Sequence, residues 1–143
     1  MKSVILQLGV RTLKYIFLVV SVWLLLRGHN QPGGGFIGGL IAGSALIFKP
    51  LAFEIESLQG KGNKQSAIFV TIGLSTVLLS AALGILVNGL MLDGLWWKLP
   101  LPINGQTLKL GTPLLFDIGV YFTVIGFLFF IISTMMEEWQ WKE

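Results

Sequence analysis

The segment from Gly28 to Gly43 holds the spacing that comes closest to a known chemical motif. Its sequence is GHNQPGGGFIGGLIAG, in which Gly33, Gly35 and Gly38 satisfy the GxGxxG spacing of dinucleotide-binding loops. That loop follows a β-strand, whereas an apolar run predicted as a helix precedes this segment. A phosphate-binding loop would need a Lys-Ser/Thr pair, which the segment lacks. We therefore exclude a nucleotide site.

The middle of the same segment predicts the start of a helix. Pro32 lacks a backbone N–H and suits the first helical position, with Asn30 or Gln31 as the cap before it. The exposed amides of the next three residues, Gly33 to Gly35, would then form a positive helix end at the membrane surface. Transporters direct such ends at anions or water.

His29 is the single histidine of the chain. With an ordinary pKa of about 6.5, a histidine is either a proton relay or a simple hydrogen-bonding residue of a loop. The sequence leaves both interpretations open. Because the chain has neither a second histidine nor a cysteine, no metal site is predicted.

Asp117 is the one charged residue between residues 114 and 136. Ionisable groups inside membrane helices are costly and are functional hypotheses by default. Asp117 is therefore a candidate cation ligand on a Na+ path, or the partner of an arginine or lysine elsewhere. The alternative is solvation at the membrane interface, because Gly111 and Pro113 lie shortly before it.

Two rows of small residues follow the second apolar run. Gly35, Gly39 and Gly43 recur every four residues, and a second row beside them contains Gly34, Gly38 and Ala42. Helices in lipid associate by close packing of such faces. We expect this helix to lie between two others, which belong either to this chain or to a partner subunit.

Weaker small-residue faces are predicted on the third and fourth apolar runs. They are formed by Gly73, Ser80 and Gly84 on the third run and by Gly119, Thr123 and Gly126 on the fourth.

The elements that must position these residues are four apolar runs. The 143 residues are 54% hydrophobic and 12% charged, with a mean hydropathy of +0.80. Soluble domains average about 25% charged residues. A bilayer core of about 30 Å takes about 20 apolar residues to cross. We predict an all-α integral membrane protein with a single membrane domain over residues 1–143 and four transmembrane helices, at residues 8–26, 33–48, 67–92 and 114–136.

The basic residues indicate the orientation. With the N-terminus inside, seven of the ten basic residues lie on the inner side and three on the outer side. The inner ones are Lys2, Arg11, Lys14, Lys49, Lys61, Lys64 and Lys142, and the outer ones are Arg27, Lys98 and Lys109. Positive charge favours the cytoplasmic side, so we predict that both termini are cytoplasmic.

Composition excludes several classes of function. The absence of cysteine excludes disulfides, thiolate nucleophiles and iron–sulfur clusters. The basic residues are scattered singly, so no nucleic-acid partner is predicted. No predicted span carries a central lysine or glutamate, and proton pumps commonly use such groups. The two halves show no inverted repeat. These features favour a subunit of a transport complex over an enzyme or a complete carrier.

The motifs together resemble a known family. The string His-Asn-x-Pro-Gly-Gly-Gly-Phe at residues 29–36 and the string Phe-Asp-Ile-Gly-Val at residues 116–120 are similar to the MrpB or MnhB component of multisubunit Na+/H+ antiporters. The resemblance covers nearly the whole chain. It implies a multi-pass protein of the bacterial cytoplasmic membrane that assembles with six other subunits, of which the large ones resemble the membrane subunits of respiratory complex I.

The resemblance also implies a function and a set of residues. The complex would export Na+ in exchange for protons, without a cofactor beyond these transported ions. The MnhB component would be structural or would line the ion path, because the pumping residues of the family lie mainly in the large subunits. Pro32 and Phe36 are the positions implied to be important. The further candidates are His29, Gly33, Gly34, Gly35 and Asp117.

Two other functions remain open at this point. Related domains occur in membrane-bound hydrogenases, so the chain is alternatively a membrane subunit of an ion-coupled redox complex. A small self-assembling channel, held together through the row of Gly35, Gly39 and Gly43, is the other alternative.

Overall fold

In the computed structural model, residues 4–28, 33–53, 61–88, 94–100 and 107–140 are described. Within these ranges the chain forms four helices and one β-hairpin. The helices are α1 (Val4–Gly28), α2 (Gly34–Phe53), α3 (Lys61–Asn88) and α4 (Thr112–Gln140), and the strands β1 (Trp96–Pro100) and β2 (Thr107–Gly111) lie between α3 and α4.

Three of the helices are long and apolar enough to cross a membrane. Their apolar windows are Leu8–Gly28, Lys64–Val87 and Thr112–Met135. The apolar part of α2, Gly34–Ile47, is shorter and covers about 21 Å at about 1.5 Å per residue. The chain is thus built as a helical membrane protein, while four full spans, cytoplasmic termini and the single domain stay predictions.

The start of α2 differs from the sequence prediction. Gly33 has a φ of +98°, which lies in the left-handed region that glycine adopts without strain. Its carbonyl accepts a hydrogen bond of 3.0 Å from the N–H of Ile37, so the helix begins at Gly34. The expectation that Pro32 takes the first helical position is wrong, because the non-helical Gly33 separates the two. Pro32 itself lies outside the described residues.

The helices pack in the order α1, α2, α4, α3. Helix α1 runs antiparallel to α2, because Gly28 packs beside Gly34 at one end and Ser21 packs beside Gly38 further along. Helix α4 runs antiparallel to α3, and it contributes Tyr121 to the buried cluster between the helices. Large apolar side chains on the outer faces of α1 and α3 are exposed, as expected for helices in lipid.

Helices α3 and α4 pack through the small residues that the sequence indicated. A Cβ on Gly73 would overlap the Thr123 side chain and would lie 2.6 Å from the carbonyl oxygen of Gly119. A Cβ on Gly126 would lie 2.8 Å from the backbone nitrogen of Val70. These glycines allow the two backbones to approach closely, which is how helices associate in lipid.

The hairpin adds two short strands to the predicted all-α fold. Strands β1 and β2 pair antiparallel, with Trp96 opposite Gly111 and Pro100 opposite Thr107. The helical class holds for the apolar segments, and the hairpin adds a small sheet between α3 and α4.

Thr112 joins the hairpin to the helices. Its N–H donates to the Leu95 carbonyl at 3.0 Å, and its hydroxyl accepts a bond of 3.1 Å from the Leu95 N–H. The hydroxyl of Ser80 on α3 donates to the Thr112 carbonyl at 2.8 Å. These bonds satisfy backbone groups at the buried start of α4, which would otherwise lose their hydrogen bonds to water.

Candidate functional site

The first glycine row of α2 packs against α4. A Cβ on Gly35 would overlap the backbone of Asp117, and a Cβ on Gly39 would lie 2.9 Å from the carbonyl oxygen of Tyr121. Gly43 contacts α4 further along the same face. Because carbon atoms are normally about 3.5–4.0 Å apart at contact, this approach is open only to glycine.

The second row packs against α1. Gly34 lies against Gly28 so closely that a Cβ on either residue would overlap the other, and a Cβ on Gly38 would lie 2.8 Å from the carbonyl oxygen of Ser21. Ala42 is buried in the same row. Both rows therefore face helices of this chain.

Asp117 lies where α1 ends and α2 begins. A Cβ added to Gly28 would lie 3.2 Å from the carboxylate oxygen Oδ2 of Asp117. It would also lie 2.9 Å from the backbone nitrogen of Gly34. The side chain of Asp117 is half-buried. The carboxylate is thus beside the positive N-terminal end of α2, which stabilises a negative charge, and beside the last turn of α1, whose end carries partial negative charge.

The other predicted site residues divide into three groups. Gly34 and Gly35 are buried next to Asp117, so the expectation that their amides are exposed is wrong. Gly33 and Phe36 are exposed, Phe36 to 53%. His29 and Pro32 lie outside the described residues.

Sequence reasoning missed a buried polar pair one turn from Asp117. The hydroxyl groups of Ser21 on α1 and Tyr121 on α4 are 3.0 Å apart, and the two residues are 0% and 8% exposed. The available signal was the spacing of Tyr121, which lies four residues after Asp117 and so on the same helix face. Its partner across the bundle could not be read from the sequence.

The chemistry that this junction offers is that of the Asp117 carboxylate. In the described part of the chain, no three His, Cys, Asp or Glu side chains lie close enough together to hold a metal ion. Every buried side-chain nitrogen or oxygen in that part has a hydrogen-bond partner. One carboxylate beside the end of α1 offers oxygen atoms to a hard cation, in the manner of transporter sites at interrupted helices.

Comparison with known proteins places the chain in a family. A family model described as a domain related to the MnhB subunit of Na+/H+ antiporter matches residues 5–130. The chain is 37% identical over 136 residues to the B-type Na(+)/H(+) antiporter subunit of Alkalihalophilus pseudofirmus, covering 95% of this chain and 94% of the relative. It is 34% identical to the corresponding B-type antiporter subunit of Bacillus subtilis, with the same coverage.

A third relative is more distant. The putative antiporter subunit mnhB2 of Staphylococcus aureus strain Newman is 33% identical over 134 residues, which cover 94% of this chain and 92% of the relative. The family model and these near-complete alignments confirm the resemblance seen in the motifs, and the chain belongs to the MnhB family.

Proposed function

We propose that this chain is a small subunit of a multisubunit Na+/H+ antiporter that exports Na+ in exchange for protons. Its part in the complex is structural or lines the ion path, and the proton pump lies in other subunits. The partners are six further subunits, including large ones that resemble complex I membrane subunits, in the bacterial cytoplasmic membrane. Family membership and the names of the relatives support the antiporter complex. One observation carries the role in the ion path, namely the packing of Asp117 at the junction of α1, α2 and α4.

The level of Asp117 in the bundle follows from its contacts and from the charges along the neighbouring helices. Its contacts put Gly28 and Gly35 at the same level. Along α1, Arg27 is one residue from Gly28 and is counted on the outer side, and the next charged residue toward the cytoplasm is Lys14, fourteen residues from Gly28. Along α2 it is Lys49, fourteen residues from Gly35. At about 1.5 Å per residue, both lysines are about 21 Å from the level of Asp117. Because Arg27 is at nearly the same level and is counted on the outer side, we expect the carboxylate near the outer boundary of the hydrocarbon core, which is about 30 Å thick.

The surroundings of the carboxylate support an ion-path role. Helix α1 ends at Gly28, and the carbonyl dipoles of its last turn favour a cation beside them. Transporters coordinate Na+ with carbonyl groups of this kind together with side-chain oxygens. The N-terminus of α2 keeps a negative charge on Asp117 favourable when the cation is absent.

The direct test is proton exchange in everted membrane vesicles from cells with and without the chain, followed with a fluorescent pH probe after addition of Na+ or K+. We expect exchange to be lost without the chain and restored when it is supplied. Large membrane subunits should co-purify with it. Unchanged exchange would contradict the proposal. Co-purification of nickel-iron or iron–sulfur proteins instead would favour the hydrogenase-type complex.

Variants of Asp117 test the ion path separately. We expect Asp117→Asn to assemble normally and to lose Na+-dependent exchange, because the amide has the same shape and no charge. Asp117→Glu keeps the charge and should retain part of the exchange. Full exchange in Asp117→Asn would remove this residue from the ion path and leave the chain with a structural role.

The self-assembling channel is not favoured by the packing. That alternative uses the row of Gly35, Gly39 and Gly43 to join copies of the chain, whereas this row packs against α4 of the same chain. Reconstitution of the purified chain alone in vesicles should therefore produce no ion conductance.

A further inference from the structure

The hydrogen bond between Tyr121 and Ser21 joins α1 directly to α4. These two helices have few other direct contacts, and both pack mainly against α2 or another neighbour. The two hydroxyl oxygens are 3.0 Å apart and both residues are buried. The Tyr121 ring lies across Gly38, whose Cβ position would be 3.3 Å from the ring atom Cδ2. A larger residue at position 38 would close the gap through which the tyrosine reaches α1.

The direction of this bond follows from the second bond of Ser21. The Ser21 hydroxyl donates its single proton to the Leu18 carbonyl at 2.9 Å. Tyr121 is therefore the donor in the bond between the two hydroxyls. The series of hydrogen bonds runs from Tyr121 to Ser21 and ends on the Leu18 carbonyl, which has no proton to donate. The pair is consequently a fixed connection between helices and not a proton relay.

The connection lies next to Asp117. Residues 117 and 121 are one turn apart on the same face of α4, and their backbones pack on Gly35 and Gly39 of α2. The row of Gly35, Gly39 and Gly43 sets the distance between α2 and α4. Because glycines have no side chains that interlock with the other helix, α4 can still rotate against α2. A bond from Tyr121 to α1 removes this freedom. It thereby fixes the carboxylate of Asp117 against Gly28, which belongs to the same helix α1.

We infer that Tyr121 and Ser21 are positioning residues, whose hydrogen bond holds the Asp117 carboxylate in place for the cation. This inference rests on the proposed function of Asp117. Neither hydroxyl needs to touch the ion. Loss of the bond should weaken the interaction with Na+ and leave the assembly of the complex intact.

The test measures the exchange rate in everted vesicles as a function of Na+ concentration. We expect Tyr121→Phe and Ser21→Ala each to raise the apparent KM for Na+ about threefold, with a ceiling of about twentyfold set by interhelical hydrogen bonds in membranes. The maximal rate per assembled complex should change less than the KM. The double variant should show no further rise, because each single variant already removes the same bond.

Two matched controls remove a hydroxyl elsewhere. Tyr15→Phe changes the only other tyrosine, which is 59% exposed on α1. Ser44→Ala removes a hydroxyl that bonds only within its own helix, to the Leu40 carbonyl at 2.8 Å. Both controls should keep the original KM.

Three outcomes would overturn the inference while the proposed function stands. An unchanged KM in Tyr121→Phe with normal assembly would show that the bond positions nothing. A lower maximal rate in proportion to lost complex, at unchanged KM, would assign the pair a purely structural role. Additive effects of the two variants would show that they act separately. If Asp117→Asn and deletion of the chain also leave exchange intact, the proposed function fails as well, and the inference fails with it.

Discussion

Replacing Gly39 with alanine tests the packing on which the candidate site depends. The new Cβ would lie 2.9 Å from the Tyr121 carbonyl oxygen and 2.9 Å from the Val124 Cβ. Neither atom is the end of a flexible side chain, so α2 and α4 must separate. Restoring ordinary carbon contacts of about 3.5–4.0 Å requires a movement of about 0.6–1 Å.

Separation of α2 and α4 costs free energy because it weakens the neighbouring contacts between them. A gap of about 0.5–1 Å removes about a quarter to a half of each dispersion contact across the interface. Overpacking of this kind costs about 1–3 kcal/mol in total. Alanine returns about 0.5–1 kcal/mol through its higher helix propensity. We expect a net destabilisation of about 0.5–2 kcal/mol, which is about a twofold to thirtyfold change in the equilibrium constant for packing.

The matched control is Gly9→Ala on α1, where an added Cβ has no atom within 4 Å. The assay heats the detergent-solubilised complex and measures by size-exclusion chromatography the temperature at which half of the tagged chain has left it. With a shift of a few degrees per kcal/mol, we expect Gly39→Ala to lower this temperature by about 2–8 °C. Gly9→Ala should leave it unchanged or raise it slightly. Equal temperatures for the two variants would refute the proposed packing of α2 on α4.

Two further predictions concern other parts of the bundle. Gly73→Ala should destabilise the complex more than Gly39→Ala in the same heating assay. The Cβ added at position 73 would overlap the Thr123 side chain and lie 2.6 Å from a backbone oxygen of α4. An equal or smaller effect of Gly73→Ala would contradict this order. Phe36→Ala should abolish Na+-dependent exchange with some assembly retained, whereas the control Ile37→Ala, also exposed, should keep exchange. Loss of exchange in both variants would mean that Phe36 has no special role.

The hairpin between α3 and α4 has a short local signal in the sequence. Hydropathy alone predicts no strand before α4, where residues 93–113 hold three prolines and a pair of tryptophans. The dipeptide Asn104-Gly105, which lies between the two strands in sequence, is a strong signal for a hairpin. Those two residues lie outside the described part of the structure.

The start of α2 shows a limit of local signals. Pro32 followed by three glycines fits a helix that begins at the proline, and no neighbouring residue favours a later start. The left-handed Gly33 moves the start to Gly34. This position lets Gly34 pack directly on Gly28, which is a contact between helices and therefore not encoded in either segment alone.

The sequence indicates the membrane class, the four helices, the small-residue rows of α2 and the family, because hydropathy and motif spacing are local properties of the chain. It also singled out Asp117, since a charge in an apolar run is visible without a structure. Three other facts are visible only in the folded bundle: the helices that the two rows contact, the position of Asp117 at the junction of α1 and α2, and the pairing of Tyr121 with Ser21. Those facts depend on the register between helices distant in sequence, which is set by the summed packing of whole faces and by no single residue.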